Sequence, residues 1–183
     1  MGAGSGFYIA ASRLLAETPF LRLEEVDLVT PDGVTTERQV VRVGGAVAVV
    51  AVADGDVLLI RQYRTPLDRP VLELPAGKLD VDGEDPVDAA KRELEEEVGY
   101  RAEHLELIAR FHTSPGFLDE QVMVYLASGL TATESAPMGA EELAAELVRL
   151  PVEDIPGILP EIDDAKTLIG LMSLLLRHNG DAT

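Results

Sequence analysis

Residues 77–100 read GKLDVDGEDPVDAAKRELEEEVGY, and the reading of this stretch decides the fold. Asp85 followed by Pro86 predicts a helix start, with an acidic cap and a proline at the first helical position. Val87, Ala90, Leu94 and Val98 then recur at i, i+3, i+7 and i+11, which makes one apolar stripe and a helix from Pro86 to about Val98. Gly99 supplies a left-handed stop. Glu93, Glu96 and Glu97 stand at i, i+3 and i+4, so they share a face. Like charges at that spacing repel by a few tenths of a kcal/mol, roughly, per pair. They also lie toward the helix C-terminus, where the macrodipole disfavours anions.

Two readings compete for these carboxylates. One is a solvated helix face, the commoner case for a charged run taken alone. The other is a site for a hard divalent cation, which draws clustered carboxylate oxygens together instead of letting them repel. Arg92, one turn before Glu96, can brace that carboxylate in either case.

Working outward, residues 8–43 read as a hairpin or small sheet, with FLRLEEVD and TERQVVRV extended on either side of a Pro-Asp-Gly turn. AVAVVAVADGDVLLIRQYR (46–64) is a pair of apolar runs about a DG turn, a buried hairpin. VLELPAGKL (71–79) reads as one short strand. HLELIARFH (104–112) and EQVMVYLA (120–127) are strands around a TSPGF turn, followed by a long loop over 131–145. A strand at 146–151 and an amphipathic helix at 163–178 close the chain. Interleaved strands and helices of this kind make a layered α/β or α+β domain. The expected division is an N-terminal antiparallel strand annex over 1–43 and a main domain over 44–183.

Composition narrows the function classes. The chain has 183 residues, of which 46% are hydrophobic, enough for one domain with a sizeable core. There is no cysteine, so disulfides, thiolate metal sites and thiol nucleophiles are excluded. The formal charge of −18 argues against a nucleic-acid partner and makes a phosphate-bearing ligand unwelcome without intervening cations. The N-terminal residues lack a basic segment followed by a continuous apolar run, and LIGLMSLLL (168–176) is too short to span a bilayer. A cytoplasmic protein with no membrane partner is expected. His104, His112 and His178 share no ligand spacing.

Gly77–Tyr100 resembles the Nudix box, a glycine, a glutamate and then Arg-Glu-apolar-x-Glu-Glu-x-Gly-apolar. Six residues separate Gly77 from Glu84, where the box has five. The resemblance implies a Nudix-type sandwich, a mixed central sheet between helices. It implies Mg2+ or Mn2+ held by Glu93, Glu96, Glu97 and the Ala76 carbonyl, with Gly77, Glu84 and Arg92 in support. RQYRTPLDRPVLELPAG (61–77), TSPGFLDE (113–120), the N-terminal strands, and Pro115 sixteen residues after Gly99 resemble the ADP-ribose pyrophosphatase branch. That branch cuts a nucleoside diphosphate sugar into AMP and ribose 5-phosphate.

By the same resemblance, the catalytic base is Glu142 or Glu141, in the loop before Pro151; the bland reading of this pair is an exposed acidic loop. Arg64 contacts phosphate or the terminal ribose, or else is a surface arginine closing a hairpin. Arg38 matches an arginine that reaches across a homodimer with exchanged N-terminal strands. Phe117 supports the substrate pocket or simply packs. The alternatives are a pyrophosphatase for another sugar, of the GDP-mannose type, and a sensor that binds ADP-ribose without cutting it. The intact glutamate set argues against the sensor.

Overall fold

The structure, a computed structural model, describes residues 6–81, 83–135 and 143–180. The chain divides into two compact units. One holds the described residues up to Gly44 together with His112–Gln121; the other holds Gly45–Phe111 and the described residues from Val122 onward.

The first unit is a three-stranded antiparallel sheet of β1 (Tyr8–Glu17), β2 (Arg22–Val29) and β3 (Thr35–Arg42), in that order. The Pro-Asp-Gly turn forms as read, with Gly33 at φ 82° and the Thr30 amide donating to the Val34 carbonyl at 2.9 Å. The TSPGF turn belongs to this unit. The Val41 amide donates to the Phe117 carbonyl at 2.8 Å, and Asp119 accepts from the Val43 amide at 3.0 Å. All ten residues of β1 are exposed.

The second unit is built on β4 (Gly45–Ala53) and β5 (Asp56–Arg64). Their connection has Asp54 at φ 55° and Gly55 at φ 89°, the two positive values that a tight hairpin of matching twist requires. β6 (Arg69–Glu73) and β7 (Ala76–Lys78) follow, then α1 (Pro86–Val98), β8 (Tyr100–Arg101), β9 (His104–His112), β10 (Gln121–Ser128), β11 (Thr131–Ala132) and β12 (Glu146–Pro151). A short α2 (Ile155–Ile158) and the long α3 (Ala165–Gly180) complete it. The main sheet is mixed and seven-stranded, ordered β12-β5-β4-β10-β9, with β6 on β5 and β7 on β4.

Strand alternation divides the core in two. Val47, Val49, Ala51 and Ala53 of β4, with Leu58 and Ile60 of β5, pack with Ala89, Ala90, Leu94 and Val98 of α1. Ala48 and Val50 of β4, with Val57 and Leu59 of β5, pack with Leu171 and Leu174 of α3. β4 is apolar on both sides because a helix covers each face, which is why its sequence runs without alternation. Each large aliphatic side chain buried this way contributes about 1.5–3 kcal/mol. Among the described residues no helix is long and apolar enough to cross a membrane.

Two differences from the sequence reading have physical causes. The expected strand over 71–79 is two strands with different partners: β6 pairs β5 through Ile60↔Glu73, and β7 pairs β4 through Ala48↔Ala76. Pro75, which has no amide hydrogen, sits at the change of partner. The last helix starts two residues later than expected, because Asp164 caps it by accepting from the Thr167 amide at 2.9 Å.

Candidate active site

Helix α1 forms as its sequence dictates. The Asp85 carboxylate accepts from the Val87 amide at 2.8 Å, and Gly99, at φ 69°, closes the helix by donating to the Glu95 carbonyl at 3.0 Å. Ala89, Ala90, Leu94 and Val98 hold it on the sheet, which leaves Glu93, Glu96 and Glu97 along its flank. These three line a cleft of about 300 Å3 together with Gln62, Arg64, Ala76, Gly77, Lys78, Asp80 and Arg92. The fourth glutamate of the run leaves the group. Glu95 accepts a fork from Arg101 at 2.8 and 2.6 Å, which holds its carboxyl below the usual range.

Arg92 organises the cleft's acidic wall. Its Nε and Nη2 each donate to Glu84 at 3.1 Å, and its Nη1 donates to Glu93 at 2.7 Å and to Glu96 at 3.2 Å. The hydrogen bonds to Glu84, with the charge of Glu93 added, hold the guanidinium protonated far beyond its ordinary range. Glu97 accepts from the Ala76 amide at 2.8 Å, which brings the helix carboxylate against the PAG turn. Gly77 answers a steric need there, since a Cβ on it would run into the Glu93 carboxyl. Among the described residues, no three acidic or histidine side chains converge as a ready metal cage.

Arg64 is more than a surface residue closing a hairpin. Its Nε and Nη2 fork onto Glu73 at 2.6 and 2.7 Å, and the residue lines the cleft. Glu73 is only 2% exposed and also accepts from Lys166 of α3. Burial pushes the Glu73 carboxyl up, but the Arg64 fork and Lys166 outweigh it and leave the group below its ordinary value. Hydrogen bonding to Glu73 in turn raises Arg64. Lys166 is paired again with Asp164 at 3.0 Å, and the Thr167 hydroxyl of the same turn accepts from the Leu74 amide at 2.8 Å.

So Arg64, Ala76, Gly77, Arg92, Glu93, Glu96 and Glu97 come together, with Glu84 tied on through Arg92. Arg38 and Phe117 belong to the first unit, where Arg38 donates to the Glu37 carbonyl at 2.8 Å and Phe117 is 56% exposed. Glu141 and Glu142 lie outside the described residues. Sequence reasoning passed over Gln62, Glu73 and Lys166. An acid inside the apolar run VLELP was a signal for Glu73; nothing local marks Lys166.

A model of the NUDIX domain matches residues 42–169. The chain belongs to the Nudix family. It is 42% identical over 161 residues to an ADP-ribose pyrophosphatase of Bacillus subtilis (strain 168), a match that covers 86% of this chain and 85% of the relative. It is 41% identical over 161 residues, with the same two coverages, to a methanol dehydrogenase activator of Bacillus methanolicus. Among solved structures, a crystal structure of ADP compounds hydrolase superposes with a TM-score of 0.85 at 26% identity, covering 96% of this chain and 95% of the other. The chain is thus a Nudix hydrolase, and the expected Nudix-type sandwich is the fold it has.

The divalent cation that a Nudix hydrolase implies would find donors of a suitable type in this cleft, although the described side chains do not converge on one point. Glu93, Glu96 and Glu97 offer hard carboxylate oxygens on one helix flank, and Ala76 lies within a hydrogen bond of Glu97. Oxygen donors of this type suit Mg2+ and Mn2+. The acidic wall and the Arg64 guanidinium share one small volume, so the cleft can take a cation and an anion side by side.

Proposed function

We propose that this Nudix hydrolase cleaves the diphosphate bond of ADP-ribose to AMP and ribose 5-phosphate with the help of Mg2+ or Mn2+. The observation that carries the reading is the shared cleft, where three glutamates of one helix face a guanidinium fixed by Glu73. The 42% identity to an ADP-ribose pyrophosphatase supports the substrate.

Glu93, Glu96, Glu97 and the Ala76 carbonyl would hold the metal. When bound, it would offset the charge of the diphosphate and of the carboxylates and lower the pKa of a water. Arg92 keeps Glu93 and Glu96 oriented toward the cleft by hydrogen bonds, so their rotamers are set in advance. Arg64, unable to turn away from Glu73, presents its remaining donor to a phosphoryl oxygen or the terminal ribose. Glu142, or its neighbour Glu141, would accept the proton of the attacking water. Phe117 would support the bound substrate.

A homodimer with exchanged N-terminal strands fits the same reading. Tyr8, Ile9, Leu14 and Leu15 of β1 are 59, 53, 46 and 44% exposed, an apolar edge that a second chain would cover. Arg38 would then reach the partner's cleft. A cysteine-free chain suits the cytoplasm.

The test is hydrolysis of ADP-ribose, GDP-mannose, NADH, diadenosine polyphosphate and dNTPs with Mg2+ and with EDTA, alongside Glu97→Gln. AMP release from ADP-ribose that needs metal and is lost in the variant is expected. Preference for another member of the panel overturns the substrate, and binding of ADP-ribose without cleavage overturns the enzyme in favour of a sensor.

A further inference from the structure

On strand β5, Leu58, Ile60, Gln62 and Arg64 point to the same side. Leu58 and Ile60 lie in the core beneath α1, and Gln62 and Arg64 continue the row into the cleft. Gln62 therefore stands deeper than Arg64, between the core and the guanidinium. It is 5% exposed, yet its carboxamide makes no hydrogen bond to any described residue. The amide is not sealed in, since Thr36 Oγ1 is the one enclosed side-chain polar atom without a partner among the described residues. Packing does not require the amide, since a methionine of similar volume would fill the same place. An amide kept there is poised for something that enters the cleft.

We propose that Gln62 is a substrate-contacting residue whose Nε2 donates a hydrogen bond to a phosphoryl oxygen of the diphosphate. The assignment rests on the diphosphatase reading of the cleft. Residues on one strand face repeat about every 6.6 Å, so Gln62 and Arg64 can grip oxygens on adjacent phosphoryl groups. The residue type fits the neighbourhood. A second cation at this depth would pair with Glu93, Glu96 or Glu97, as Arg92 does with the first two. A neutral amide adds a donor without being captured by the carboxylates or repelling the metal.

Gln62→Met removes the donor and keeps the volume, and Gln62→Glu replaces it with a negative charge. Imidodiphosphate binding in the presence of Mn2+, measured by calorimetry, should weaken about tenfold in the first variant and further in the second. kcat/KM for ADP-ribose should fall by the same order, while Mn2+ affinity without the anion stays within about twofold. The urea midpoint of Gln62→Met should stay close to that of the wild type, because the amide makes no hydrogen bond among the described residues. Equal imidodiphosphate binding by Gln62→Met and wild type overturns the proposal, as does a lowered urea midpoint that accounts for the weaker binding. Should the wild type bind imidodiphosphate but leave ADP-ribose uncut, the diphosphatase reading fails and the binding ratio alone decides Gln62. A wild type that binds no imidodiphosphate overturns both.

Discussion

Gly77→Ala is the smallest change that separates the geometry of the site from the stability of the fold. A Cβ at residue 77 would stand 2.5 Å from Glu93 Oε2 and nearer still to its Cδ and Oε1. To regain ordinary contact at 3.4 Å, the carboxyl must retreat by at least about 0.9 Å from Oε2 alone. The obstacle is the end of a side chain, so the backbone need not move, and the overpacking cost should stay near the low end of about 1–3 kcal/mol. The displaced carboxyl also gives up its 2.7 Å bond from Arg92. A misplacement of about 1 Å can cost on the order of a hundredfold in rate, or about 2.7 kcal/mol of activation free energy. The expected result is a kcat on ADP-ribose about a hundredfold lower at saturating Mg2+, a Mn2+ affinity about tenfold weaker or more, and a urea midpoint only slightly reduced. Wild-type kcat and Mn2+ affinity in Gly77→Ala would refute the claim that Glu93 must occupy the place the glycine leaves for it.

The remaining expectations concern stability and pH. Asp85→Ala removes the side-chain cap of α1 and should cost about 1 kcal/mol, read as a lower urea midpoint with an unchanged slope. Glu73 has a folded-state pKa below its ordinary 4.5, so the stability it lends is fully present above that value and is lost as pH falls through the depressed one. Urea midpoints from pH 7 down to pH 3 should record that loss. Glu73→Gln should flatten that part of the profile and cost about 3 kcal/mol at pH 7, since it strips the buried partner from Arg64 and Lys166; a variant as stable as the wild type would contradict the buried network.

Legibility followed sequence distance. The bounds of α1 lie in consecutive residues, Asp85 and Pro86 at one end and Gly99 at the other, and the structure reproduces them. The Asp54–Gly55 turn is equally local. Spacing on a single helix also told which glutamates would share a face, and it set Glu95 apart. What the sequence hid depends on partners far along the chain. Whether residues 71–79 pair with one strand or two depends on where β4 and β5 diverge. In sequence Arg64 reads as a ligand contact or a surface group, because its orienter Glu73 and the Lys166 behind it are nine and 102 positions away, the latter on helix α3. In sequence Gln62 is one more residue of a strand, and only its burial and its place in the cleft lining set it apart.

Arg92 bears on how this acidic chain keeps its carboxylates together. The guanidinium already lies among Glu84, Glu93 and Glu96, so the crowded carboxylates carry a resident counterion. A site that relied on an added cation to relieve its repulsion would couple folding to metal supply, and chelation would unfold it. Here the compensating charge is covalently part of the same helix and cannot be washed away. A cation entering the cleft would meet a scaffold that is already assembled. Chelation should therefore leave the folded chain intact.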